Sequence, residues 1–125
     1  MAIARDTTAA NIKPLEGAIV RRYTAGAAIA AGEIVAMQSD GYVDPSDSTS
    51  AAMQNVGIAI QAAPTAGDRV DVVVFGPVQC VTGGTPGASV YNSTTAGEPS
   101  ETTAGNQTKL GFVETALVVF VTQPV

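Results

Sequence analysis

The chain has 125 residues, is 46% hydrophobic and only 5% aromatic, and contains no Trp. That is enough for one core without disulfide or metal staples, built largely from Ala and Val. Charged residues make up 14%, against about a quarter in ordinary domains, so part of the surface is expected to be covered in an assembly. A net charge of -5 with scattered basic residues argues against nucleic-acid binding, and the absence of His excludes histidine triads and histidine metal sites.

Residues 1–17 carry isolated apolar positions (Ile3, Ile12, Leu15) among Thr, Asn, Lys and Pro14, without sustained periodicity. This reads as an extended N-terminal arm ahead of a single β domain over 18–125. Ile3, Arg5, Ile12, Lys13 and Leu15 meet no obvious partner within the chain and are the candidate contacts to a larger assembly. The segment lacks the apolar core of a signal peptide, and no stretch approaches the ~20 apolar residues of a membrane span. Synthesis in the cytoplasm and no membrane partner are therefore expected.

Residues 18–24 predict a first strand, followed by a turn at Ala25-Gly26 and an Ala-rich stretch too tightly bracketed by Gly26 and Gly32 for a helix. Strands are expected at 33–38, at 42–43 after the Asp40-Gly41 turn, and at 56–61, where Gly57 marks a bulge or a close backbone approach. Residues 45–54 read as a polar loop, with room for one helical turn at 51–53. Residues 69–75 alternate as a half-buried strand, broken at Gly76-Pro77 and resumed at 78–81. After a glycine-rich loop a strand begins at Val90-Tyr91. The polar run 93–108 is long for a loop and is expected to hide a hairpin around Gly97-Glu98. The last strands fall at 110–114 and 116–122, the second apolar on both faces and hence covered on both sides. Leu117, Val119 and Val121 are its candidate subunit-interface residues.

The second half repeats the first. Ala30–Phe75 is echoed from Thr85 to Val121, with glycine offsets of 87 − 32 = 55 and 111 − 57 = 54. The fold expected is all-β, a small barrel or sandwich made of two weakly similar β-units.

Reactive chemistry is sparse. Cys80 has no partner for a disulfide and no base, and reads as a small buried strand residue. The run Gly83-Gly84-Thr85-Pro86-Gly87 lacks the Lys-Ser/Thr ending of a phosphate loop. Asp40, Asp44 and Asp47 do not match calcium-loop spacing, and Glu98 with Glu101 has no aromatic wall to raise a pKa. No catalytic, cofactor or metal residue is assigned.

The order of segments resembles the small capsid cement, or decoration, proteins of tailed bacteriophages. The resemblance is carried by Ala31-Gly32-Glu33-Ile34-Val35, by Val56-Gly57-Ile58-Ala59 with Ala66-Gly67-Asp68-Arg69-Val70-Asp71-Val72, and by Pro86-Gly87-Ala88-Ser89-Val90-Tyr91 with Thr95-Ala96-Gly97. Leu110-Gly111-Phe112-Val113, leading into the final strand, completes it; the resemblance as a whole covers roughly residues 16–123. The resemblance implies a non-enzymatic protein on the capsid exterior of the virion, clamping neighbouring major capsid protein subunits and stabilising the mature head. A homotrimer is favoured and a dimer is compatible. The alternative is a head-fibre base or host-surface binding module of a virion. The long run 93–108 and the arm before Ala18 depart from the family pattern and leave the capsid footprint open.

Overall fold

Runs of Val and Ile punctuated by glycine turns favour strands, because β-branched side chains pack well on a pleated surface. A computed structural model describes residues 3–48, 54–101 and 109–122, and their architecture is nearly all-β. In chain order the strands are β1 (Ala4–Arg5), β2 (Lys13–Pro14), β3 (Ile19–Thr24), β4 (Ile34–Met37), β5 (Val43–Pro45) and β6 (Gln54–Ala59). They continue with β7 (Arg69–Gln79), β8 (Val81–Thr82), β9 (Ser89–Asn92), β10 (Pro99–Ser100), β11 (Lys109–Thr115) and β12 (Val118–Val121). The position of the helical turn expected at 51–53 lies outside the described residues, as does the end of the polar run.

The main sheet runs β10-β9-β11-β12-β7-β6-β4-β5, with β2 and β3 also paired to β7. This order reads as two copies of one unit placed back to back. In each copy a central strand pairs antiparallel with a short return strand and with the strand that follows it, and that strand pairs with a closing strand. The two closing strands, β7 and β12, pair with each other. The correspondence holds at single-residue register. Ile34 faces Ile58 and Val35 faces Gly57, then the register shifts and Ala36 faces Asn55. In the second unit Ser89 faces Phe112 and Val90 faces Gly111, then the same shift brings Tyr91 opposite Lys109.

The turn into each unit is built alike. Gly32 and Gly87 have φ of 90° and 89°, a region only glycine enters without strain. Each donates its N–H to the strand after next, Gly32 to the Ala59 carbonyl at 2.7 Å and Gly87 to the Val113 carbonyl at 2.8 Å. Gly57 and Gly111 are required for another reason. A Cβ at either would overlap a backbone carbonyl, that of Val73 or of Phe120. The bulge-marking glycine expected at 57 is thus a close-approach glycine at a bulge, and it occurs twice.

The sheet curls into a half-barrel, and loop residues next to its edge strands tie the two ends together. Gly97 N–H donates to the Ser46 carbonyl at 2.8 Å, Ile34 N–H to the Gly97 carbonyl at 3.0 Å, and Ser48 N–H to the Ser93 carbonyl at 2.9 Å. Buried side chains lock the same seam: Ser46 Oγ donates to Asn55 Oδ1 at 2.5 Å and accepts from Asn92 Nδ2 at 3.0 Å.

Two expectations are corrected. Gly76-Pro77 does not break the strand, and β7 runs unbroken through it. Gly76 takes φ of 104°, and a Cβ there would sit 2.8 Å from Ala18 Cα, so the glycine lets β7 cross closely over the arm while staying paired with β12. The N-terminal segment is extended, but its groups do have partners within the chain. β1 pairs with β8 and β2 with β7, a short 3-10 turn at Ala9–Asn11 joins them, and Ile3 and Ile12 are buried in the core. The hairpin expected in the polar run is present as β10 returning on β9 beyond Gly97.

Candidate interaction surface

Alternation along a strand sends neighbouring residues to opposite faces, so each unit has two faces to enclose. In the first unit both are enclosed. Ile34, Ile58 and Val73 belong to one buried cluster, and their chain neighbours Val35, Ala59 and Val72 to a second. The first cluster is shared with one face of the second unit, through Val90, Leu110, Val113, Val119 and Val121. The second is closed by Ala25, Ile29, Val43 and Ala63 from the loops and return strand of the first unit itself.

Among the described residues, the other face of the second unit has no such cover. By register, the row Ile34–Ile58–Val73 corresponds to Ser89–Phe112–Phe120, and this second row lies outside both clusters. Phe112 and Phe120 are directly opposed and stack, with centroids 5.3 Å apart and ring planes 15° apart. Phe75 of β7 meets Phe120 edge-on at 5.5 Å, and Ile19 of β3 lies opposite Phe75. These are all three phenylalanines of the chain. Phe75 is 44% exposed, Phe112 36% and Ile19 54%. Phe is among the residues most often buried, and stacked rings gain about 0.5–1.5 kcal/mol beyond area, so a row of them at the surface is the apolar patch that stands out on this domain. The strand reading of 116–122 flagged that both faces of β12 need cover, but it placed the open face on the wrong residues.

Val119 and Val121 are fully buried in the chain's own core, which corrects their candidacy for a subunit interface; Leu117 is 46% exposed in the turn before β12. The arm is similarly redistributed. Ile3 and Ile12 are core residues. Arg5 Nε donates to Glu98 Oε2 at 2.8 Å and Arg5 Nη1 to the Ala31 carbonyl at 3.3 Å. Lys13 is exposed opposite Gln79, and half-buried Leu15 is held by its N–H on the Pro77 carbonyl. No signal in the sequence separated Ile3 and Ile12 from Leu15, because their burial depends on pairing with strands more than sixty residues away.

Titratable groups are few and dispersed. Burial raises the pKa of Glu33, opposed by the Ala30 N–H its carboxylate accepts and by Arg5, and reinforced by Glu98. Burial and then Asp40 raise that of Asp44, whose Oδ1 is buried without a hydrogen-bond partner. Cys80 is fully buried and its thiol is pushed up to about 12, so it remains an unreactive thiol at neutral pH. Among the described residues no group of His, Cys, Asp or Glu is placed to hold a metal ion, and no helix is long and apolar enough to cross a membrane.

These features define an all-β domain with an exposed aromatic face. No protein-family model matches the chain, and no curated protein matches it.

Proposed function

We propose that the protein is a non-enzymatic structural component of a virion, one that binds the outside of a tailed-phage capsid and bridges neighbouring major capsid protein subunits. The observation that carries this reading is the uncovered phenylalanine row on a strand-built domain of low charge. An apolar aromatic face with few charges suits lasting assembly better than transient encounter, because desolvating it costs little and buries large rings. Several modest contacts on a repeating lattice then add through effective concentration. The resemblance of the glycine-punctuated segments to cement proteins supplies the lattice.

The experiment is reconstitution. Purified protein is mixed with expanded heads lacking it and pelleted through a cushion, and the heads are then heated. Stoichiometric co-sedimentation and a higher temperature of DNA release are expected. Protein left in the supernatant at micromolar concentration defeats the capsid reading. Binding to host cells instead would favour the head-fibre or host-surface module.

A further inference from the structure

We infer that the phenylalanine face is where a second copy of this chain docks, face to face, about a two-fold axis parallel to β12. The inference goes beyond the capsid reading and does not depend on it: the row serves self-assembly, and a dimer closed on it would bridge capsid subunits through the two copies of its remaining surface.

The internal repeat tells what covers this kind of face. In the first unit, Ile34, Ile58 and Val73 are enclosed by another β-unit of the same chain, with Ile3 and Ile12 of the N-terminal segment at its side. The complementary face of the first unit is already closed by its own loops. Among the described residues one uncovered row therefore remains per chain, with no uncovered complementary unit face to receive it head-to-tail. The surface of equal apolar character that every copy still presents is the same row, and a patch that meets itself closes on a two-fold axis.

Charge at the margins fits that axis. The strands run β11-β12-β7-β2 across the face, because β12 and β2 pair with the same end of β7 and so occupy its opposite edges. Lys13 on β2 is level with Val118 through Gln79, and Glu114 on β11 lies between Val113 and Thr115, which face Val119 and Val118. The two are thus at the same height on opposite sides of β12. Both are exposed, and neither takes part in the two ion pairs of the described residues, Arg5–Glu98 and Arg22–Asp71. A two-fold axis parallel to these strands and running between β12 and β7, midway between β11 and β2, brings Lys13 of one copy over Glu114 of the other.

Native mass spectrometry and sedimentation equilibrium of the full chain, without capsid, test this. A dimer is expected. Phe120→Ala should weaken it roughly thirtyfold, the scale of a central aromatic anchor, and Phe112→Ser with Phe120→Ser should leave a monomer with an unchanged strand signal by circular dichroism. If that double variant fails to fold, Phe75→Ala gives the same test at the edge of the row. Lys13→Glu should weaken the dimer, and adding Glu114→Lys should restore it. A wild-type monomer or trimer, a dimer indifferent to the phenylalanines, or no recovery on charge exchange overturns the proposal. Failure of head binding in reconstitution leaves the dimer result standing, so the two readings fail separately.

Discussion

The two β-units share register, bulge and turn glycines, yet their equivalent rows meet opposite fates. Ile34, Ile58 and Val73 are sealed in the core, whereas Ser89, Phe112 and Phe120 face outward. The backbone is therefore one solution used twice, and the side chains decide which copy builds the interior and which builds a surface. Flat rings replace branched aliphatics where the row is left open. A ring offers a large rigid area at low entropic cost when a partner arrives, whereas branched aliphatics fill a closed interior.

The comparison breaks most visibly at what the copies share. Gly57→Ala and Gly111→Ala each force a Cβ into a strand carbonyl, and each should cost roughly 3 kcal/mol or more in chemical denaturation. Comparable losses at both sites are expected if the units are equivalent. The contrast is sharpest one residue further on. Ile58→Ala should cost about 3 kcal/mol by emptying a core site, whereas Phe112→Ala at the equivalent position should cost about 1 kcal/mol or less in the isolated chain.

A smaller effect belongs to the seam. Ser46→Ala removes the hydrogen bonds to Asn55 and from Asn92 that tie the first unit to the second, and about 1–3 kcal/mol should be lost. The mildest test concerns Glu33, whose counterpart by offset is Ala88. A carboxyl whose folded pKa is raised binds its proton more tightly when folded. Its favourable contribution is complete below the unfolded value near 4.3 and fades as pH rises through the folded pKa. The melting temperature of the wild type, relative to Glu33→Gln, should therefore rise as pH falls from 7 towards 4.

Much of this was legible from local spacing. The Gly32/Gly87 and Gly57/Gly111 offsets reported a duplicated unit, and the duplicated register follows from them. The run Ala116–Val121 reported a strand in need of cover on both faces. What spacing does not carry is which face meets which unit. Val119 and Phe120 are both apolar and adjacent, and only the curl of the sheet assigns one to the core and the other to the surface. The same holds for Ile3, whose burial depends on β1 reaching β8. Gly76-Pro77 was misleading because a glycine-proline pair usually stops a strand; here Gly76 supplies the left-handed turn, and Pro77 still offers its carbonyl to Leu15.

The shared core also has a consequence in time. Ribosomes deliver the first unit before the second, at about 5–20 residues per second. Until β9, β11 and β12 have emerged, Ile34, Ile58 and Val73 have only part of their cover, from Ile3, Ile12 and Val78, and lack Val90, Leu110, Val113, Val119 and Val121. For those seconds the nascent chain shows water an aliphatic sheet face, the natural substrate of a holdase chaperone. A message truncated after Gln79 should accordingly yield insoluble product, although it encodes the whole first unit.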